Sequence, residues 1–234
     1  MEKKFILTDK FVINSFGIKL FQIKCTKSFK YAQKGDFGGY VEKEGNLDQK
    51  NDAWVSGDAW VSGNARVFGD ARVSGDAWVS GNAWVSGNAR VSGNARVFGD
   101  ARVSGDAWVS GNARVFGNAR VSGDALVSGN AWVSGDARVS GNAWVSGNAW
   151  VSGDADIEND NEHCGFDGFG SCNRHTHAYM TKEKKVEIIC GCFRGSIEEF
   201  EKKVEERHSG TVYEKQYKSI INVIKIKFGL TDFT

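Results

Sequence analysis

Proline is absent from the 234-residue chain, whereas glycine occurs 29 times. A glycine-rich chain could be a flexible linker, but these glycines recur at a fixed spacing, which indicates ordered structure. The sequence also lacks an apolar run long enough to cross a membrane and a long apolar segment after Met1, so we expect neither a membrane span nor a signal peptide. The five cysteines are an odd number at irregular spacing, which favours the reducing cytoplasm over a disulfide framework.

Neither sign of charge dominates, since the net charge is +1, and the whole molecule should not attract nucleic acid or membranes. The charges are nevertheless segregated along the chain. Residues 1–51 carry 10 Lys and 6 acidic residues, and residues 154–234 carry 12 basic and 15 acidic residues. Residues 52–153 carry 8 Arg and 8 Asp but no Lys, Glu or His. These compositions predict three segments, which we place at 1–51, 52–159 and 160–234.

The middle segment is a six-residue repeat. From Asp52 to Gly153, 17 hexads follow one another without insertion, each reading Asp/Asn-Ala-Trp/Arg/Leu-Val-Ser/Phe-Gly, and an eighteenth decays at Asn159. Within a hexad, Ala and Val alternate with the variable residues, which predicts a short strand with Ala and Val on one face. Gly and Asp or Asn follow, and because they tolerate a positive φ, we expect the chain to turn there.

A short strand and a turn, repeated without change, predict a coil with three flat sides, in which each side is one hexad and three hexads complete a turn. Each strand would stack in parallel on the strand three hexads later, so that every backbone group finds a partner in the next coil. The 18 hexads then make 6 coils, about 29 Å long at about 4.8 Å per coil. The expected core is a thin column of Val and Ala whose open ends need caps.

The order aliphatic, small, two variable, small, variable, as in Val55-Ser56-Gly57-Asp58-Ala59-Trp60, resembles the hexapeptide pattern of left-handed β-helices. The resemblance implies the left hand, which periodicity alone does not determine. We therefore expect a mainly β protein, a left-handed parallel β-helix with a β-rich N-terminal cap and a small α/β C-terminal cap.

The caps carry their own local signals. In the tail, Lys185 to Ile189 predicts a strand, and Ser196-Ile-Glu-Glu199 is a capping box that predicts a helix to about Arg207. Thr211-Val-Tyr-Glu214 is a second box before a helix with one apolar face. The apolar face consists of Tyr213, Tyr217, Ile220, Ile221, Ile224 and Phe228. The N-terminal cap contains the strand-like segments 5–7, 11–13 and 18–23 and a glycine-rich turn at 35–39.

Two further motifs flank the repeat. They are Lys34-Gly-Asp-Phe-Gly-Gly-Tyr-Val-Glu-Lys-Glu44 before it and Ile189-Cys-Gly-Cys-Phe-Arg-Gly-Ser-Ile-Glu-Glu-Phe200 after it. With the array between them, the chain resembles a group of phage and prophage proteins with a GDLGGW-type opening, a hexapeptide array and a GCF-type tail. The resemblance implies a genomic context rather than an activity, and phage accessory proteins include both structural proteins and inhibitors of host defence.

Two kinds of chemistry compete with a purely binding role. Hexapeptide acyltransferases, which the coil resembles, typically add a loop that leaves the coil and a catalytic His that acts as general base. This array has neither.

A zinc site is the other candidate, because Cys and neutral His are good zinc ligands. Seven such residues lie close together in the sequence: His163, Cys164, Cys172, His175, His177, Cys190 and Cys192. Their spacing is irregular, so we expect a glycine-rich loop at 165–170 with incidental thiols, and no metal or other cofactor.

All eight Trp and all eight Arg of the array occupy outward positions. Taking every third hexad together assigns them to three sides of the coil. The first side stacks Trp54, Arg72, Arg90, Trp108, Leu126 and Trp144. The second stacks Trp60, Trp78, Arg96, Arg114, Trp132 and Trp150, with Phe98 and Phe116 at its other outward position. The third stacks Arg66, Trp84, Arg102, Arg120, Arg138 and Asp156, with Phe68 at its other outward position.

The second side has an aromatic residue in every coil, so we expect it to be the contact surface. The candidate binding residues are Trp60, Trp78, Arg96, Phe98, Arg114, Phe116, Trp132 and Trp150. The alternative is that the rings and guanidinium groups stack as a ladder that only stabilises the coil, by cation–π contacts of about 0.5–1 kcal/mol each.

These observations predict a non-catalytic binding or scaffold protein, with a protein partner or self-association favoured over other ligands. We expect nucleic-acid binding to be weak at most, and no membrane contact or small-molecule substrate. Inhibition of a host defence factor is a biological use consistent with the resemblance. Two alternatives stay open, a hexapeptide-type acyltransferase and a structural component of the virion.

Overall fold

The chain begins with a β-hairpin, continues as a coil of short strands, and ends in an antiparallel sheet covered by two helices. The computed structural model describes residues 2–230. The first three strands are β1 (Phe5–Ile13), β2 (Lys19–Cys25) and β3 (Phe37–Val41). Short 3-10 helices at Glu44–Asn46 and Asp160–Glu162 stand at the two ends of the array.

Each hexad contributes one two-residue strand to the coil. In chain order these strands are β4 Trp54–Val55, β5 Trp60–Val61, β6 Arg66–Val67, β7 Arg72–Val73, β8 Trp78–Val79, β9 Trp84–Val85, β10 Arg90–Val91, β11 Arg96–Val97, β12 Arg102–Val103, β13 Trp108–Val109, β14 Arg114–Val115, β15 Arg120–Val121, β16 Leu126–Val127, β17 Trp132–Val133, β18 Arg138–Val139, β19 Trp144–Val145, β20 Trp150–Val151 and β21 Asp156–Ile157.

The strands form three parallel sheets, one on each side of the coil. The first side has the order β4-β7-β10-β13-β16-β19, the second contains β5-β8-β11-β14-β17-β20, and the third has β6-β9-β12-β15-β18-β21. Trp54 pairs with Arg72 and Trp60 with Trp78, a register of three hexads. The predicted coil and the predicted membership of each side are therefore confirmed, and the protein is a mainly β parallel solenoid. Its left hand stays a prediction.

The core is the expected column of small apolar side chains. Every Ala and Val of the array is at most 4% exposed. The turns place Gly in the left-handed region, as at Gly87, whose φ is 66°. A Cβ on Gly87 would lie 2.9 Å from the carbonyl oxygen of Gly105 in the next coil. Glycine is therefore needed at this turn both for its positive φ and because a side chain would clash with the neighbouring coil.

The coil has one turn more than the hexads predict. Strand β3 pairs in parallel with β5, and Leu47 forms a parallel bridge with Val67, so residues 37–51, which the sequence assigned to the cap, form a first coil. The buried Asn46 donates from Nδ2 to the carbonyl oxygens of Gly63 and Ala65, 3.1 and 2.8 Å away. The second-side sheet accordingly contains seven parallel strands and is extended by the antiparallel hairpin β2 and β1. The opening lacks the hexad pattern, and the prediction of six coils therefore missed this turn.

The tail contains more strand than the sequence predicts. Four antiparallel strands, β22 (His163–Phe169), β23 (Arg174–Met180), β24 (Val186–Cys190) and β25 (Phe193–Gly195), form one sheet in chain order. Only β24 was expected, and the predicted glycine-rich loop at 165–170 lies largely within β22. The reason is that β22 and β23 are rich in Gly, His and polar residues, and their structure depends on pairing with each other and with β24.

Both predicted helices are present, α1 at Ile197–His208 and α2 at Val212–Lys227. The Ser196 capping box is complete, whereas at the second helix Thr211 accepts from Glu214 N while the Glu214 carboxylate accepts from Gly210 N. The helices cover the tail sheet around a second apolar core that includes Ile188, Phe200 and Ile221. No helix between residues 2 and 230 combines the length and apolarity that a membrane crossing requires.

We expect Val103→Asp to unfold the array. Val103 is fully buried between coils, and a carboxylate there would lie in a dry apolar column without a partner. The expected loss is more than about 4 kcal/mol in the free energy of unfolding, measured by denaturant titration followed by circular dichroism.

Ser104→Asp is the matched control, because it adds the same charge at the next residue, which is outward and partly exposed. Its effect should stay within about 0.5 kcal/mol. If Val103→Asp unfolds at the same denaturant concentration as Ser104→Asp, the column is not the core of the molecule.

Candidate functional site

The eight candidate binding residues all lie on the second side of the coil. Their strands are consecutive neighbours in one sheet, so one side chain of the set stands above the next at every coil. The sequence prediction of this arrangement is confirmed by the pairing of Trp78 with Arg96, Arg96 with Arg114, and Trp132 with Trp150. That these residues bind a partner stays a prediction.

Rings along this side pack against one another in an aromatic ladder. Phe98 and Phe116 are stacked with centroids 5.0 Å apart and planes at 1°. Phe116 meets Trp132 edge to face at 6.1 Å, and Trp132 meets Trp150 edge to face at 5.8 Å. Such pairs contribute about 0.5–1.5 kcal/mol each beyond the area they bury. The ladder therefore stabilises the coil and fixes the orientation of its rings.

Arginine side chains complete the ladder where Trp is missing. The guanidinium carbon of Arg96 lies 5.6 Å from the Trp78 ring centroid, and that of Arg114 lies 4.9 Å from Trp132. Within residues 2–230, no arginine of the array forms an ion pair with an acidic side chain. Their charges thus remain available to solvent or to a partner.

The N-terminal hairpin covers the upper end of the second side, which is the end nearest the N-terminus. Phe16, in the turn between β1 and β2, packs on Trp78 with centroids 5.8 Å apart, and Trp78 meets Trp60 at 6.1 Å. Trp60 and Trp78 are only partly exposed as a result, whereas Trp132 and Trp150 are 37% and 40% exposed. The sequence did not predict this contact, because nothing local in residues 14–17 indicates that they fold back over the coil.

A socket lies beside the hairpin turn on the same side. It has a volume of about 210 Å³ and is lined by Phe16, Trp78, Ser80, Arg96 and Phe98. Below it, the corner that flanks the second side is a column of neutral amides joined by hydrogen bonds. Its successive donors and acceptors are Asn94, Asn112, Asn130, Asn148 and Asp167. The lower half of the second side, toward Trp132 and Trp150, therefore combines exposed rings with one corner of low charge, while its other corner carries Asp136 and Asp154.

The other two sides are less continuous. On the first side Trp54 is buried under Phe29 of the N-terminal segment, with centroids 5.4 Å apart. Trp108 and Trp144 are 44% and 55% exposed and donate from Nε1 to serine hydroxyls 2.9 and 3.4 Å away. The third side has aromatic residues only in its upper coils, where Trp84 packs on Phe68 and under Arg102.

Three of the four histidines meet where the tail sheet docks on the last coil. His177 is fully buried, and its Nδ1 lies 3.0 Å from the carbonyl oxygen of Trp150. Because a carbonyl can only accept, Nδ1 carries the hydrogen, and His177 Nε2 accepts from His163 Nδ1 at 3.1 Å. His175 Nδ1 lies 2.8 Å from the Asp167 carboxylate. The contact of His177 with Trp150 joins the tail to the coil, and the other two contacts fix the histidines within the tail sheet.

His163, His175 and His177 form hydrogen bonds with one another, with Trp150 or with Asp167, and we call this group the junction. No group of three His, Cys, Asp or Glu side chains within residues 2–230 is placed to hold a metal ion. The cysteines considered as ligands are dispersed, with Cys172 and Cys192 exposed and Cys190 buried. Burial raises the pKa of the Cys164 thiol to about 11, so it stays protonated at neutral pH.

Burial also lowers the pKa values of two of these histidines, His177 and His163. Desolvation lowers the pKa of His177 to about 3, and the positive charges that His163 and His175 would carry lower it further. Desolvation likewise lowers the pKa of His163, against the opposing effect of Asp160 and together with that of Lys227. Between the folded and unfolded pKa values the unfolded chain binds more protons, so folding is favoured by high pH.

We expect the docking of the tail to weaken as the pH falls below about 6.5, the pKa of an unperturbed histidine. Each histidine that stays neutral in the fold can cost up to about 1.4 kcal/mol per pH unit. Thermal unfolding between pH 8 and 5 should show this loss for the wild type and a smaller slope for a His163→Gln, His177→Gln variant. Equal slopes would contradict the assignment.

The third side should bind polyanions only at low salt. Arg66, Arg102, Arg120 and Arg138 form a basic row, but Asp100 and Asp136 stand in the adjacent corner column. Fluorescence anisotropy with a DNA duplex should detect binding in dilute buffer and none at about 0.15 M salt. Arg102→Gln, Arg120→Gln should reduce the low-salt binding. Tight, sequence-selective binding at about 0.15 M salt would refute this prediction.

Comparisons with known proteins concern the array. A search of curated proteins finds no match. The family model described as YdcK Beta solenoid repeat matches nine stretches, of which the first eight overlap in succession. They are residues 59–75, 65–81, 71–87, 83–97, 89–105, 95–111, 107–121, 119–135 and 137–153. Together with the observed coil, these matches show a repeat β-helix protein whose array is similar to the YdcK β-solenoid repeat.

Proposed function

We propose that this is a non-catalytic binding or scaffold protein that engages a protein partner, or a second copy of itself, through the lower half of the second side. The observation that carries the proposal is the unbroken aromatic ladder, which reaches from Phe98 to Trp150 with its last two tryptophans exposed. Contiguous exposed aromatic surface on a monomer is typical of an interface, and Trp and Arg are enriched among interface hot spots.

Rigidity supports the proposal. The rings are held by their neighbours and by a backbone that is hydrogen-bonded above and below, so few rotamers remain to be frozen when a partner binds. The corner that precedes Trp132 and Trp150 is formed by neutral amides, which cost less to remove from water than charged groups, whereas the corner that follows them carries Asp136 and Asp154. A flat, preorganised strip of this kind suits a flat or extended partner surface.

The hairpin turn gives an intramolecular example of such a contact. Phe16 is 72% exposed and still packs on Trp78, so an apolar side chain can dock on this face without being enclosed. The socket between Phe16 and Phe98 has room for one further side chain. A partner could thus continue along the ladder from the position that the hairpin already occupies.

Catalysis is not favoured by the arrangement of groups on the coil. The array has no His, and its 17 hexads continue without the outward loop that hexapeptide acyltransferases use. The histidines beyond it that lie near the coil are engaged with one another, with a carbonyl or with Asp167. These histidines are therefore poorly placed to act as a general base toward a substrate on the coil.

The biological setting belongs to the same proposal. We assign the chain to the phage or prophage proteins that it resembles in its opening, array and tail, with a left-handed coil of the hexapeptide type. Its place of action is then the cytoplasm of the bacterial host, and inhibition of a host defence factor is the use that fits a rigid protein-binding surface without catalytic groups.

We expect Trp132→Ser, Trp150→Ser to weaken the interaction while leaving the fold intact. The two rings are exposed, and their loss should weaken capture of the principal partner, or self-association, by at least about tenfold. Quantitative pull-down from host lysate and sedimentation velocity over a range of protein concentrations measure the two forms of contact.

The matched control is Trp108→Ser, Trp144→Ser on the first side, where two rings of similar exposure are removed. Trp54 is unsuitable for this purpose, because it is buried under Phe29 and its loss would disturb the N-terminal segment. If both variants fold and retain the same partners and association state, the ladder serves only to stabilise the coil.

A further inference from the structure

A small cavity lies in the tail, away from the coil, between the sheet and the two helices. Its volume is about 160 Å³, and its lining comes from the turn before β23, from strands β23 to β25 and from both helices. The sequence offered no sign of it, because its walls come from segments distant along the chain and from the turn that follows the predicted glycine-rich loop. The cavity is independent of the second side and of the function proposed for it.

The floor of the cavity is aromatic. Phe193 and Phe200 lie with ring centroids 5.0 Å apart, and Phe200 meets Tyr217 edge to face at 5.6 Å. Phe200 and Tyr217 are buried at 4% and 6% exposure, so their orientation is set by the core of the tail. A cavity of about 150 Å³ with apolar walls accommodates a benzene ring, and this one has the same size.

The rim of the cavity is cationic. Arg174, Lys203 and Arg207 line it, and no Asp or Glu is among the described lining residues. Lys203 pairs with Glu206 outside the lining, but neither guanidinium forms an ion pair with an acidic side chain anywhere in residues 2–230. Arg174 and Arg207 therefore place two positive charges without an acidic partner at one cavity, and an anion between them would reduce their mutual repulsion.

Two further hydrogen-bond donors belong to residues that line the cavity, Arg174 and Tyr217. A Cβ on Gly191 would lie 2.5 Å from Arg174 Nη1, so glycine at this turn leaves room for the Arg174 side chain close to the backbone. The Tyr217 hydroxyl accepts a weak hydrogen bond from the Cys190 thiol at 3.9 Å, which leaves its own hydrogen free to donate. Burial raises the pKa of Tyr217 to about 12, so the hydroxyl remains a donor at neutral pH.

We propose that this cavity binds a small organic anion, with an aromatic ring on the Phe200 floor and a carboxylate or phosphate group held by Arg174, Arg207 and Lys203. A planar guanidinium pair suits the two or three oxygens of such a group, because each can donate two parallel hydrogen bonds. A ligand with only an aromatic ring, or only a negative charge, would contact only one of these two parts of the cavity. The protein would bind this ligand without transforming it.

The test uses the full-length protein and four probes. Isothermal titration calorimetry should detect binding of phenyl phosphate and benzoate, and weaker binding, by at least about tenfold, of phenol and of inorganic phosphate. Arg174→Gln, Arg207→Gln should weaken phenyl phosphate binding by at least about tenfold. Lys202→Gln is the matched control, since Lys202 is an exposed cation on α1 that does not line the cavity, and it should bind as the wild type does.

Amide chemical shifts of the wild-type protein give a second measurement that does not depend on the folding of a variant. Addition of phenyl phosphate should change the amide chemical shifts of residues around 171–174, 190–193 and 203–208. Absence of binding, equal binding of phenol, equal affinity of the arginine variant, or perturbations confined to the coil would each overturn the proposal.

Discussion

Backbone hydrogen bonds between successive coils, always in the same register, are the constraint on which the rest of the molecule depends. Trp78 N, for example, donates to Ala95 O, and Ser80 N donates to Val97 O, each at 2.9 Å. Because each strand is so short, an insertion that did not loop out of the coil would shift the register of the strands that follow it. The hexad tolerates so little variation for this reason, with Ala and Val inside and Gly at the turn.

The same constraint leaves the outward positions free and places them in columns. A side chain there has one neighbour above and one below at the spacing of adjacent strands, which is the distance at which rings and guanidinium groups pack well. The contacts that hold Phe116 against Trp132 stabilise the coil, and under the proposed function they also fix both rings in position for a partner.

The two open ends of the apolar column are capped in different ways. At the start, the chain builds an irregular first coil and extends the second-side sheet with a hairpin, so that Phe5 and Ile23 close the core. At the end, an antiparallel sheet docks across the last coil through Tyr179 and His177, which bond to the carbonyl oxygens of Ser152 and Trp150. The tail has its own core, and there the absence of a repeat permits a cavity with diverse side chains.

The sequence by itself determined the period, which residues face inward, the three columns of outward residues and the caps of both helices. Each of these follows from local alternation or from a signal within one helical turn, as at Ser196 and Glu199. Only the tertiary structure decided that residues 37–51 form a coil, that Phe16 covers Trp78, and that Arg174 and Arg207 line one cavity with an aromatic floor. These arrangements join segments distant along the chain that share no periodic pattern, so their pairing depends on packing that no local stretch encodes.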